Sequence, residues 1–118
     1  MKRKHERIAS MAALLSSPVR LAILDRLRQG PCIVGDLVSA LGEAQASLSK
    51  QLAILREAGL LRCRPEGRCR EYAVADPERL GALLDGLLEL AGSADRQAAE
   101  CRARRARHGR DSTKEGTR

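Results

Sequence analysis

Apolar positions recur at helical spacing over most of this chain and alternate only over one short stretch. Ile8, Met11, Ala12 and Leu15 form a stripe that predicts a first helix over about Glu6 to Ser16. Ser17 and Pro18 then suit a helix cap and a first helical position, so a second helix opens there. Leu21, Leu24 and Leu27 are its buried candidates, and Gly30 with Pro31 stops it. Cys32-Ile33-Val34 is long enough only for a strand fragment. A short helix over residues 34–41 is closed by Gly42. The next helix, in "EAQASLSKQLAILREAGLL", carries Leu48, Leu52 and Leu55 inward and ends at Gly59. Strand candidates follow at Leu60–Cys63 and Cys69–Val74, separated by a Pro-Glu-Gly turn. A last helix opens on Asp76 and Pro77 and bears Leu80, Leu83, Leu84, Leu87, Leu88 and Ala91.

The order is four helices, a β-hairpin and a fifth helix, with no internal repeat. That predicts a mainly α fold with a small β-hairpin, in a chain of 118 residues that suits a single domain. Residues 1–92 hold the patterned elements. Residues 93–118 are expected to be the end of the last helix and a basic, disordered tail.

Charge changes the picture only locally. The net charge is +7, of which residues 1–100 carry +2 and residues 101–118 carry +5. An excess concentrated in the tail favours a polyanionic partner only weakly. One Tyr, no Phe and no Trp argue against single-strand nucleic-acid binding, which uses rings as stacking platforms. The same scarcity argues against a deep aromatic-lined pocket. No apolar run reaches bilayer length, and "MKRKHERIAS" is followed by no continuous apolar core, so a soluble, cytoplasmic chain is expected. An enzyme is not expected: there is no CxxC, no βαβ pattern, no glycine-rich phosphate loop and no Cys–His pair. His5 and His108 lie in polar terminal segments and read as surface residues.

A short helix, a glycine turn, a second helix and an immediate hairpin describe a winged helix-turn-helix, whose second helix enters the major groove. Opposite the leucines of that helix lie Gln45, Ser47, Ser49 and Lys50, with Gln51 at one edge. Gln can pair bidentately with adenine, Ser can meet several bases or phosphate, and Lys50 can neutralise phosphate. A merely solvated helix face is usually richer in Glu and Lys than this one. Double-stranded operator DNA is therefore the expected partner.

The segments "LSSPVRLAILDRLRQGP", "VGDLVSALGEAQASLSKQLAILREAGLL", "EGR" and "EYAV" together resemble the ArsR/SmtB family of small dimeric winged-helix repressors, over about residues 10–90. The resemblance implies a homodimer that releases operator DNA when an inducer binds, often a metal or metalloid ion. It places Gln45, Ser47, Ser49, Lys50 and Gln51 on the recognition helix and Arg64 and Arg68 on the wing. The leucine stripe of the last helix, with that of the first, is expected to form the dimer contact. Several features depart from the family pattern. Gln51 stands where a His is common, and Ile33 and Ala44 stand where capping Ser or Thr is common. The family's Cys-x-Cys-Asp-Leu arsenic site is here Ile33-Val34-Gly35-Asp36-Leu37. The last helix has Asp85 and Glu89 but no Asp-x-His zinc pair, and the recognition helix has no Cys.

An inducer would therefore bind somewhere less usual, and family membership alone does not name the place. In "LRCRPEGRCREY" Cys63 and Cys69 each lie between two arginines, which favour a thiolate. A three-residue loop of Pro65-Glu66-Gly67 would pair Arg64 with Arg68 and set Cys63 against Cys69, with Cβ atoms about 4.5–5.5 Å apart. A two-residue Glu66-Gly67 turn would put them on opposite faces. Cys32 is expected to pair near Ala73 and Val74, displaced from both. A third sulfur for a thiophilic ion such as As(III), Sb(III) or a soft divalent metal would come from Cys101. The candidate metal set is thus Cys63, Cys69 and Cys101, with no cofactor otherwise required. Two alternatives stay open: a repressor sensing thiol oxidation or persulfide, and a winged helix serving protein interaction.

Overall fold

The computed structural model describes the backbone of residues 2–116 and the side chains of residues 3–109. Its elements, in chain order, are α1 (Lys2–Leu14), α2 (Pro18–Leu27), β1 (Cys32–Ile33), α3 (Val34–Leu41), α4 (Gln45–Glu57), β2 (Leu61–Glu66), β3 (Cys69–Val74) and α5 (Pro77–Gly116). The chain divides into two units, residues 1–81 and residues 82–118. The first is the winged helix-turn-helix and the second is the remainder of α5.

The helix boundaries follow from local chemistry. The Ser17 hydroxyl accepts from the Arg20 N–H at 3.3 Å, and Pro18 occupies the first helical position. The Asp76 carboxylate accepts from the Arg79 N–H at 3.2 Å and starts α5 in the same way. Gly42 ends α3 in the left-handed region at φ 68°, where a side chain would be strained. Neither Ile33 nor Ala44, the N-cap residues of α3 and α4, makes a side-chain cap hydrogen bond.

The core of the first unit lies where α2, α3 and α4 meet the sheet. Ile23, Leu24, Leu37, Leu48, Leu52 and Leu55 are fully buried, and Leu27, Leu61 and Leu80 nearly so. Each such leucine contributes about 1.5–3 kcal/mol by leaving water. Gly81, at the start of α5, lets the Arg28 guanidinium pass; a β-carbon there would meet it at 3.1 Å.

The antiparallel sheet has the order β1-β3-β2. β2 and β3 are joined through Gly67 and Arg68, a loop of two residues, with Glu66 opposite Cys69, Pro65 opposite Arg70, Arg64 opposite Glu71 and Cys63 opposite Tyr72. This corrects the expected register. Gly67 has φ 60° and no other residue of the loop has positive φ, which fits a turn with glycine in its first central position. Pro65 is not a turn residue: it sits in β2, an edge strand, where a missing N–H costs no ladder bond. β1 also pairs farther along than expected, with Cys32 opposite Tyr72 and Ile33 opposite Glu71.

α5 is longer than its apolar stripe alone predicts. It continues to Gly116, through the basic segment that the sequence sets apart as a tail. Ala and Arg, both strong helix formers, recur along that stretch. Residues 117–118 lie outside the described residues. Among the described residues no single helix is long and apolar enough to cross a membrane.

Candidate nucleic-acid interface

The spacing of apolar residues along α4 separates its two faces cleanly. Leu48, Leu52 and Leu55 are at 0% exposure. Gln45, Ser47, Ser49 and Lys50 are all exposed, together with Ala46 and Ala53. The two alanines were not singled out from the sequence; on a helix laid against another surface, their small size lets the backbone come close. Gln51 behaves differently. It is half-buried and its side-chain oxygen is buried without a hydrogen-bond partner. Of the five residues expected to face DNA, it is the one turned toward the protein.

The hairpin follows α4 directly. The Leu60 N–H bonds the Leu55 carbonyl at 3.0 Å, and Gly59 takes φ 86°, a closure that turns the chain from helix to strand within a few residues. Side chains alternate across the sheet. The inner face carries Cys32, Leu61, Cys63, Tyr72 and Val74, and all but the half-buried Cys63 are buried. The outer face carries Arg62, Arg64, Glu66, Cys69, Glu71 and Ala73. Arg68 stands exposed at the turn, and Arg70 is exposed next to it.

Arg64 is less free than a basic wing residue was expected to be. Its Nε donates to the Glu71 carboxylate at 2.7 Å, and Glu66 stands 3.9 Å from one of its terminal nitrogens. Arg68, by contrast, is held by no carboxylate among the described residues. A shallow concavity of about 410 Å³ lies beside this pair, lined by Pro31, Arg62, Cys63, Arg64, Glu71 and Ala73.

The thiols do not assemble as expected. Cys63 and Cys69 lie on opposite faces of the hairpin, because the two-residue loop pairs Cys63 with Tyr72 and Cys69 with Glu66. Cys101 is exposed on α5, in the second unit. No group of three or more His, Cys, Asp or Glu among the described residues could hold a metal ion. Cys32 is not displaced from Cys63 but level with it, across Tyr72. Two strand spacings, about 9.5 Å, separate these two thiols' backbones, beyond the reach of a disulfide.

Tyr72 stands opposite Cys63 on the inner face of the sheet. Burial pushes its hydroxyl above the ordinary value of 10.0, and the neighbouring Cys63 pushes it further; Arg70 and Arg56 oppose the shift. The sequence contains one Tyr, and its scarcity alone was a signal that could have drawn attention to this position.

Comparison with known proteins bears on this geometry. A model described as "Helix-turn-helix domain" matches residues 15–64. The chain is 41% identical over 78 residues to the HTH-type transcriptional regulator NmtR of Mycobacterium tuberculosis, covering 66% of this chain and 64% of that protein. It is 33% identical over 87 residues to the biofilm growth-associated repressor of Agrobacterium fabrum, covering 74% of each. This chain belongs to the ArsR/SmtB family of winged helix-turn-helix transcriptional regulators. Two solved structures agree with that placement. One is the homodimeric winged helix-turn-helix domain Mb0332 from Mycobacterium bovis, with TM-score 0.67, 28% identity and coverage of 77% of this chain and 83% of that one. The other is the AntR antimony-specific transcriptional repressor, with TM-score 0.70, 27% identity and coverage of 81% and 86%. The match spans only 56 to 64% of the length of several curated members.

Proposed function

We propose that this chain is a sequence-specific transcriptional repressor that binds double-stranded operator DNA as a homodimer. The observation that carries this reading is α4 itself: three leucines at 0% exposure fix the helix while Gln45, Ser47, Ser49 and Lys50 face outward, and a basic hairpin follows at once. In this reading α4 meets base edges and the wing, chiefly through Arg68, meets phosphate. Arg64 contributes through its terminal nitrogens. Relatives named as repressors support the role.

Dimerisation is supported by leucines on α5 that the protomer leaves exposed, Leu83 and Leu87 at 42%, Leu88 at 75% and Leu90 at 64%. An apolar stripe of this kind calls for a partner surface, and a symmetric second copy supplies one. Leu84→Asp, on the same stripe, is expected to give monomers by light scattering and to abolish binding to a two-half-site duplex. An unchanged dimer mass would remove this assignment.

The effector is proposed to act on thiols. The leading class is a thiophilic metalloid or soft metal ion, such as As(III) or Sb(III), as the likeness to an antimony-specific repressor suggests. Such an ion prefers several sulfurs, and joining Cys63, Cys69 and Cys101 would require the hairpin to rearrange. The separation of the thiols favours a second reading, oxidation or persulfidation of a single cysteine, which needs no converging ligands. Exposure of the DNA-bound protein to As(III), Sb(III) or sulfane sulfur, followed by intact mass measurement, separates the two: a bound ion adds its own mass, and a persulfide adds sulfur. If each of Cys32, Cys63, Cys69 and Cys101 can be replaced by Ser without loss of the response, the thiol reading falls.

A further inference from the structure

We propose that Arg62 and Arg64 form one phosphate clamp on the outer face of the wing, with Glu71 as the positioning residue that aims Arg64. The inference rests on the DNA-binding reading and deepens it by naming a part of the grip that the motif does not indicate. Arg62 and Arg64 are two residues apart on an edge strand, so both project from the outer face. The register places Ala73 opposite Arg62 and Glu71 opposite Arg64. The small Ala73 side chain leaves the floor of the concavity open between Pro31 and Arg62, with room of about 410 Å³.

The Arg64–Glu71 contact is more than a surface charge pair. The Glu71 side chain is only 19% exposed, whereas that of Arg64 is 70% exposed. The carboxylate is therefore the fixed member and the guanidinium the one being held. It holds the guanidinium by Nε, at 2.7 Å. A guanidinium has five N–H donors in a rigid plane, so a bond at Nε orients the terminal nitrogens and leaves them to donate elsewhere. That geometry fits a phosphate diester, whose non-bridging oxygens accept the paired hydrogen bonds that a planar guanidinium donates. Arg62, for which no carboxylate partner is found among the described residues, supplies the second charge. Glu66, 59% exposed and 3.9 Å from Arg64, is the weaker and looser neighbour.

The competing account is that Glu71 only places negative charge near DNA and repels it. Fluorescence anisotropy of the full chain on duplex DNA, over a series of salt concentrations, decides between them. Arg62→Ala is expected to make the salt slope of the homodimer shallower by about 1.8, the loss of one phosphate contact in each protomer. Glu71→Ala is expected to weaken binding about two- to fivefold although it removes a negative charge. Glu71→Gln, which keeps an acceptor for Nε, is expected to bind at least as tightly as the parent. In an Arg64→Ala background, Glu71→Ala should no longer weaken binding. Tightening by both Glu71→Ala and Glu71→Gln would overturn the positioning role, and an unchanged slope in Arg62→Ala would overturn the clamp. A thermal-stability loss in Glu71→Ala that persists in the Arg64→Ala background and accounts for the weaker binding would also overturn it, reducing Glu71 to a structural residue. Absence of salt-dependent duplex binding by the parent would remove the DNA reading and the clamp together. Parent binding with an unaltered sequence preference in Gln45→Ala would fault the assignment of α4 while leaving the clamp standing.

Discussion

α4 and the β2–β3 hairpin are neighbours in sequence and are proposed to share one ligand, yet they are held in opposite ways. α4 is anchored by Leu48, Leu52 and Leu55, all at 0% exposure. The distal hairpin, from Arg64 to Arg70, has no buried side chain and is held by its backbone ladder and by the Arg64–Glu71 pair. The difference matches the two tasks. Base readout needs donors and acceptors fixed to within a fraction of an ångström, which a packed helix supplies. Phosphate contact needs charge near a backbone whose position varies, which a lightly held hairpin accommodates.

The sharpest way to break this comparison is to loosen the anchored partner. Leu52→Ala removes a fully buried side chain of α4 and is expected to cost about 2–5 kcal/mol of stability, read as a lower denaturation midpoint. A loss below about 1 kcal/mol would mean that α4 is not the rigid element described here. Next in size is the readout itself. Gln45→Ala is expected to reduce discrimination at one base pair per half-site by about 1–3 kcal/mol, measured against single-base variants of a bound duplex.

A smaller effect tests where the rigid part of the hairpin ends. Tyr72→Phe removes the hydroxyl of the ring opposite Cys63 and is expected to change stability by about 1 kcal/mol at most. It should also change the alkaline limb. The folded hydroxyl holds its proton above the unfolded value of 10.0, so parent stability is full below that pH and falls as pH rises past it, where the unfolded chain releases the proton first. The Phe variant should lose that component of the decline. The smallest expected change is at the tip: Cys69→Ser, exposed and outside the core, should alter stability by less than about 0.5 kcal/mol. Cys63→Ser should cost more than Cys69→Ser, because Cys63 is half-buried on the inner face and Cys69 is exposed.

How much of this was legible beforehand follows the same division. The helices and the two faces of α4 could be read because 3.6-residue spacing repeats over several turns, so one misplaced residue does not shift the rest. Ser17, Pro18, Asp76 and Gly42 marked boundaries through side-chain and backbone chemistry that acts within a few residues. The hairpin offered no such redundancy. Its register depended on which residues formed the turn: Pro65-Glu66-Gly67 would set Cys63 against Cys69 and Glu66-Gly67 would set it against Arg70, whereas the observed Gly67-Arg68 turn, one residue further on than either, sets it against Tyr72. The Arg64–Glu71 pair and the buried Gln51 oxygen depend on that register and on neighbours distant in sequence, so neither had a local signal.

The central claim is the separation of tasks between α4 and the wing, and one measurement tests it directly. Binding of Gln45→Ala and Arg68→Ala is compared with that of the parent across salt, on duplexes selected from a random pool and on scrambled ones. The account predicts that Gln45→Ala loses sequence preference while keeping the parent salt slope, and that Arg68→Ala keeps the preference while its slope becomes shallower by about 1.8, one phosphate contact in each protomer. Equal losses of preference and slope in both variants, or a preference that depends on Arg68 and not on Gln45, would contradict it.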